Sequence, residues 1–402
     1  MLSGAVFSGA EEDGAEGDGA EYDRLVEATE GVLMLMVRAY PATGAPHWRN
    51  SDMGMMRSRS RRGEEPKALP ETTSEVRETR EMSAIPLRPL GHSDLRVSII
   101  GLGCNNFGRP GTFTEDQRGT TAVIHAAIDA GITFFDTADI YGYGYGRSET
   151  LMGNALRGRR DDVILASKFG HAEYESPLAG AKGSRAYVRA AIEGSLRRLQ
   201  TDRIDLYQLH TPDPSTPIAE TLAALHELVD EGKVRAIGHS NFSAKQLTEA
   251  DRAAIDGGHP RFASSQNEYS LVHRGAEAAL IPAAERHGLG VLPYFPLANG
   301  LLTGKFHRGG GPEDSRIMRQ RPHLIDEAPW GALEKYAALC EEWGVGMLEA
   351  TFAWLLSRPA IASVIAGATT IEQVKQNGAA AHAWSPSADE LRAIDELFPL
   401  SR

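Results

Sequence analysis

The sequence predicts an α/β fold, a closed (β/α)8 (TIM) barrel. From residue 86 onward, eight short apolar, β-branched runs alternate with amphipathic helical stretches. Continuous apolar strands between helices mean a parallel sheet covered on both faces. The open alternative, a doubly wound dinucleotide-binding sheet, needs G-x-G-x-x-G entering a helix directly after its first strand. "GLGCNNFG" supplies Gly101 and Gly103, but Asn106 stands in place of the third glycine, and about ten residues separate it from the next helical stretch. Eight similar units within about 300 residues therefore favour closure.

In chain order the strand runs are "VSIIGLG" (97–103), "ITFFDT" (132–137), "VILASKF" (163–169), "IDLYQLH" (204–210), "VRAIGHSN" (234–241), "ASSQNEY" (263–269), "GVLPYF" (290–295) and "ASVIAG" (362–367). The helical stretches between them run from "EDQRGTTAVIHAAIDAG" to "TIEQVKQNGAAA". Ser184 and Ser243 read as N-caps, because a serine hydroxyl can accept from an orphan N–H of the first turn. Gly131, Gly232 and Gly288 read as helix C-termini, where the chain must turn left-handed.

Residues 1–82 differ in composition. "SGAEEDGAEGDGAEYD" (8–23) is Gly/Ala/acid low complexity, "RSRSRR" (57–62) is a short basic run, and residues 64–81 are polar without a period. Such a segment buries too little apolar surface to offset chain entropy. It is read as a disordered extension or as a start assigned too far upstream, with Met82 opening the ordered sequence; residues 83–402 form the barrel domain. The run "VLMLMV" (32–37) is far shorter than a membrane span, and acidic residues precede it, unlike a signal peptide. A net charge of −12 argues against a nucleic-acid footprint. Two cysteines, Cys104 and Cys340, form no disulfide framework, which suits a reducing cytoplasm.

In a barrel the reactive groups lie at the C-terminal strand ends. Those positions hold Asp136, Lys168, His210, Ser240–Asn241, Gln266, Tyr294 and Gly367, with Tyr141 in the loop after the second strand. Each has an ordinary reading as a cap, a snorkelling lysine or a loop histidine. An acid, a lysine and a histidine on three consecutive parallel strands nevertheless converge on one mouth, and Tyr141 can lean into it. A tyrosine, with a pKa of about 10, is a poor acid near neutrality. A nearby ammonium lowers that pKa, a carboxylate keeps the ammonium charged, and a neutral histidine can orient a substrate oxygen. This equipment delivers a proton to a carbonyl oxygen. No metal set accompanies it: "HELVD" (226–230) lacks the second histidine of a zinc helix. The reducing equivalent must then come from elsewhere, most simply a bound nicotinamide.

Several separated motifs in order now resemble one family: "GITFFDTADIYGYG", "LASKFG", "LRRLQTDRIDLYQLH", "GKVRAIGHSNFS", "QNEYS", "LPYFPLANGLLTGKF" and "SVIAGATTIEQVKQN". Residues 86–398 resemble an aldo-keto reductase, of the bacterial-type branch related to voltage-gated potassium channel β subunits. The resemblance implies a tetrad of Asp136, Tyr141, Lys168 and His210, with Tyr141 as general acid reducing an aldehyde or ketone to the alcohol. It implies NADPH, lying extended over the mouth. Ser240, Asn241 and Gln266 would hold the carboxamide and Tyr294 would stack on the ring. Phe295, Pro296 and Leu297, with Lys305 and Arg316, would follow the pyrophosphate. Gly367, Thr369, Gln373, Gln376 and Asn377 would meet the adenosine 2′-phosphate region, at a helix start that suits an anion. Thr369–Thr370 stand where many members place Lys or Arg, so NADH is kept as a second cofactor.

Phe295 stands where serine is common, Ala366 replaces a frequent proline, and "YGYGYGRSE" (141–149) is longer than the usual form. "GLLTGKF" (300–306) is no phosphate loop, being one residue short and carrying Phe306 in place of Ser/Thr. The substrate pocket is expected from loops 106–115, 171–183, 212–216 and 297–330. Substrate and oligomeric state are left open. A non-catalytic nicotinamide-binding regulatory subunit is the main alternative. His210 argues against it, because channel-type relatives commonly carry asparagine there. A Schiff-base lyase using Lys168 is disfavoured by Asp136, which would keep that lysine protonated.

Overall fold

The computed structural model describes residues 85–400; the expected extension, residues 1–82, lies outside the described residues. A two-stranded antiparallel hairpin comes first, β1 (Leu87–Pro89) and β2 (Arg96–Ser98). Eight parallel strands follow: β3 (Ile100–Gly103), β4 (Phe134–Asp136), β5 (Ile164–Phe169), β6 (Ile204–Leu209), β7 (Val234–Ser240), β8 (Ser264–Gln266), β9 (Gly290–Val291) and β10 (Val364–Gly367). They pair in the order β10-β3-β4-β5-β6-β7-β8-β9. The ends of that order meet through a parallel bridge, Val291 with Ile361. There Val291 N donates to Ala360 O at 2.8 Å and Ala362 N to Val291 O at 3.0 Å. The barrel is closed.

The run at 97–103 is therefore two strands. Ser98 Oγ donates to Ile100 O (2.7 Å) and accepts from Thr133 N and Phe134 N (3.0 and 3.1 Å), which turns the chain between hairpin and barrel. The hairpin itself went unread. Its turn depends on Gly91, which has φ +55° and packs so closely on Ala263 O that no Cβ fits. Beyond β9, Leu292 N and Tyr294 N still donate to Ser265 O (2.9 Å) and Asn267 O (3.1 Å), whereas Pro293 between them has no N–H to offer the opposite neighbour.

Period-2 alternation sorts the strands into two cores. Phe134, Ala166, Leu206, Ala236, Ala263, Leu292 and Ile365 fill the lumen, and Leu90, Leu95 and Val97 of the hairpin segment pack with them. Phe135, Leu165, Tyr207, Ile237 and Val364 face outward onto the helices. These helices are α1 (Gln117–Asp129), α2 (Arg147–Ala155), α3 (Arg185–Leu199), α4 (Ile218–Asp230), α5 (Ala244–Gly257) and α6 (Leu280–His287). Ser184 caps α3 through Tyr187 N, and Ser243 forms a full capping box with Gln246 on α5. Gly131 and Gly232 follow the ends of α1 and α4, and Gly288 caps α6, all with positive φ.

Between β9 and β10 the chain forms α7 (Arg316–Gln320), α8 (His323–Glu327), α9 (Trp330–Trp343) and α10 (Met347–Leu356). The first two lie where a loop was expected. α11 (Ile371–Ala380) follows β10, and α12 (Ala388–Leu397), absent from the expected helices, starts with a capping box between Ser387 and Glu390. Among the described residues no helix is long and apolar enough to cross a membrane.

Candidate active site

The alternation that packs the lumen also fills its mouth. On β4 Phe134 points in, Phe135 out and Asp136 in. On β5 Ala166 points in, Ser167 turns out to bond Glu149, and Lys168 points in. Register places Asp136 beside Ala166 and Lys168 beside Gln208. The lumen is narrow here: Gly238 of β7 leaves no room for a Cβ against Ser264 Oγ and Gln208 Cγ.

Lys168 is fully buried, with Nζ 2.7 Å from Asp136 Oδ2, 3.0 Å from Thr137 O and 3.3 Å from Tyr141 Oη. Its ammonium also sits 4.9 Å from the Tyr141 ring centroid. Asp136 Oδ1 accepts from Gln266 Nε2 at 2.9 Å and Gln208 Nε2 at 3.4 Å. The Tyr141 and His210 rings meet edge to face at 5.9 Å, and His171 lies 4.6 Å from His210. The structure thus brings together all four residues of the expected tetrad.

Burial lowers the Lys168 pKa, but Asp136 and the Tyr141 phenol outweigh it, and the net direction is upward. The lysine is a charged donor. His210 is pushed well below its ordinary value by burial, then by Lys168 and His171, so it is neutral; its Nδ1 has no partner. Tyr141 departs from expectation. Burial raises its pKa above 10.0, and Lys168 opposes this only in part. The desolvated phenolate loses more than the ammonium returns, because Asp136 already neutralises that ammonium.

The expected cofactor residues form three groups. Ser240 and Gln266 are buried at adjacent ends of β7 and β8, in register. Asn241 Nδ2 reaches Ser240 Oγ (3.1 Å) and His210 O (3.0 Å), while Tyr294 Oη donates to Asn241 Oδ1 (2.9 Å). Gln266 therefore joins this group to Asp136. The second group follows Tyr294. Phe295, Ala298 and Asn299 have φ of 49°, 48° and 58°, an irregular turn also holding Pro296 and Leu297. Such strain gathers at binding sites. Arg316 packs its guanidinium 5.7 Å from the Phe295 ring, and Lys305 is exposed beside Phe306. The third group, Gly367, Thr369, Gln373, Gln376 and Asn377, lies at the end of β10 and the first turns of α11. Its internal bonds run from Thr369 N and Oγ1 to Gln373 Oε1, at 2.7 and 3.1 Å. Asn377 is buried and Gln376 exposed.

These features agree with what comparison with known proteins finds. Residues 99–398 match the model of the aldo/keto reductase family. The chain belongs to the aldo/keto reductase family. An oxidoreductase of Bacillus subtilis is 37% identical over 319 residues, covering 77% of this chain and 95% of the relative. L-glyceraldehyde 3-phosphate reductase of Escherichia coli is 33% identical over 322 residues, covering 77% and 91%. A probable voltage-gated potassium channel subunit beta of Arabidopsis thaliana is 35% identical over 306 residues, covering 72% and 88%. Among solved structures, a Bacillus halodurans aldo-keto reductase in its holo form matches with TM-score 0.64 and 33% identity, covering 79% of this chain and 97% of that one.

Several neighbours of this candidate site are not among the residues the sequence reading singles out. Gln208 follows Leu206 by two on β6, so its inward direction was readable from strand period. His171 was not, because it lies in a loop. Asp139, three residues after Asp136, is fully buried beside the Glu149–Arg198 ion pair (2.7 Å), with Tyr145 Oη donating to its Oδ2 at 3.2 Å. This cluster supports the loop that carries Tyr141: Asp139 N donates to Lys168 O at 3.0 Å and Ser148 N to Tyr141 O at 3.0 Å.

Proposed function

We propose that the protein is an NADPH-dependent reductase of small aldehydes or ketones. One observation carries this reading above the rest: a fully buried ammonium, Lys168, lies within hydrogen-bond reach of both Asp136 and the Tyr141 hydroxyl. Tyr141 holds the proton and donates it from Oη to the carbonyl oxygen. Its raised pKa keeps the phenol protonated until charge develops on that oxygen. The Lys168 ammonium then stabilises the phenolate that remains, and Asp136 keeps that ammonium charged and aimed. Neutral His210 orients the carbonyl oxygen without competing as an acid.

The residues present fit a nicotinamide dinucleotide. Ser240, Asn241 and Gln266 offer amide and hydroxyl groups at one rim, with Tyr294 alongside. Arg316 Nε is buried without a partner, as suits a cation awaiting a pyrophosphate. The α11 start, with Thr369 and Gln373, offers polar groups for the adenosine side. Bound dihydronicotinamide would supply the hydride. NADPH is the cofactor of choice and NADH the alternative, given Thr369–Thr370. The channel-subunit relatives motivate a second, non-catalytic reading, to which neutral His210 beside Tyr141 runs counter.

The test is oxidation of NADPH and of NADH across a panel of aldehydes, diketones and quinones, alongside binding of both cofactors. NADPH oxidation with matching alcohol formation is expected. A clear NADH preference would contradict the cofactor assignment. Tight cofactor binding with no carbonyl reduced would favour the regulatory reading.

A further inference from the structure

Two guanidiniums, Arg109 and Arg321, stand near the mouth beyond the Lys305 and Arg316 read above as following the pyrophosphate. Arg109, in the segment after β3, and Arg316, Arg319 and Arg321, on and just after α7, gather together, and none forms an ion pair with a carboxylate among the described residues. This is unusual in a chain of net charge −12. Arg109 is 6% exposed. Its Nη1 donates to Gln320 Oε1 at 2.9 Å, its guanidinium lies 5.6 Å from the Tyr143 ring, and its Nε has no partner. Arg321 lies 5.7 Å from the Phe295 ring, the same distance as Arg316. Arg316 is lowered to about 9, by burial first and then by Arg109 and Arg321. Like charges held together, with Arg109 buried and Arg316 and Arg321 half-buried, are costly unless an anion joins them.

Arg316 follows the cofactor in the reading above. Arg109 lies near Arg316 but turns to the Tyr143 ring, two residues beyond Tyr141. Ring contacts also lead there from the proton donor: Tyr141 to His210 (5.9 Å), His210 to His171 (4.6 Å) and His171 to Tyr174 (4.8 Å). The Tyr174 phenol acts electrostatically on both Arg109 and Arg316. A substrate with its carbonyl at Tyr141 would therefore extend past these aromatic rings toward unpaired guanidiniums.

We propose that Arg109 and Arg321 bind a terminal oxyanion on the carbonyl substrate, a phosphate monoester being the form best matched to two guanidiniums. This deepens the reductase reading and rests on it. Arg109 contributes the buried contact beside Tyr143, and half-buried Arg321 closes on the anion from the Phe295 side.

Steady-state kinetics at saturating NADPH, comparing glyceraldehyde, glyceraldehyde 3-phosphate and succinic semialdehyde, read this directly. Wild type is expected to favour the phosphorylated aldehyde over glyceraldehyde by about tenfold or more in kcat/KM. Arg109→Gln and Arg321→Gln should each lose about tenfold on the phosphorylated substrate, mainly through KM, while changing glyceraldehyde turnover by less than about twofold. A matching gain with succinic semialdehyde identifies a carboxylate as the oxyanion. Equal kcat/KM for neutral and charged aldehydes in wild type, or equal losses on both in the variants, overturns the proposal. Calorimetric titration of inorganic phosphate into NADP-saturated protein gives a second readout. Saturable binding, weakened about tenfold in Arg321→Gln at unchanged NADP affinity, is expected. Variants that lose NADP affinity instead would assign these arginines to the cofactor and refute the substrate site. Phosphate binding through them in a protein that reduces no carbonyl would leave the anion site standing and the reductase reading overturned.

Discussion

Asp139 shows how far a residue's chemistry depends on surroundings that spacing does not reveal. In "FFDTADIYG" both aspartates follow an apolar run, yet only Asp136 meets an ammonium. Asp139 is fully buried, its Oδ1 has no partner, and burial followed by Glu149 raises its pKa to about 7, with Tyr145 and Arg198 opposing. An unfolded aspartate ionises near 3.8, so between that pH and about 7 the unfolded chain releases a proton that the folded one keeps. Stability therefore falls as pH rises through that window and levels off above it. Asp139→Asn should remove the fall and raise Tm at pH 8 by roughly 2–4 °C for each kcal/mol relieved. Thermal melts from pH 4 to 8 would check this, and parallel profiles for wild type and variant would refute it. Tyr141, the proposed proton donor, lies in the same stretch. Tyr141 could be placed in the mouth from its loop, but the direction of its pKa could not, because desolvation is set by packing across the barrel.

At the scale of elements, strand period did most of the positioning. Inward residues of β4, β5 and β6 pass from lumen core to reactive group within two positions, as in Phe134 to Asp136 and Ala166 to Lys168. Strand-end position in the sequence therefore located Asp136 and Lys168 once a closed barrel was inferred, and the alternation seen in the structure is what turns both into the mouth. What stayed hidden was non-periodic. The hairpin strands are only three residues each, so β1 shows no period and most of β2 is absorbed into the first barrel run at 97–103. α7 and α8 are five residues each, too short to show a helical period. The hairpin's contribution can be measured. Leu95 is 1% exposed among Phe134, Leu206 and Leu292, and Leu95→Ala should cost about 2–5 kcal/mol. Chemical denaturation reads that loss; a value within about 0.5 kcal/mol of wild type would mean that this segment does not close the lumen core.

For the molecule as a whole, charge is distributed against its average. An acidic chain carries unpaired guanidiniums and a buried ammonium at one barrel end, where a phosphate-bearing cofactor and an electron-rich carbonyl would be drawn. The family was legible from several motifs in fixed order, since barrel strand ends are local in sequence. The arginine cluster was not, because Arg109 and Arg321 are brought together only by closure of the barrel. The central claim is that Tyr141 delivers the proton. Its most direct test is Tyr141→Phe, measuring kcat for carbonyl reduction beside the NADPH dissociation constant. The account predicts a kcat lower by about 10²–10⁴-fold with cofactor affinity held within about twofold. Turnover within about threefold of wild type at saturating NADPH would contradict it.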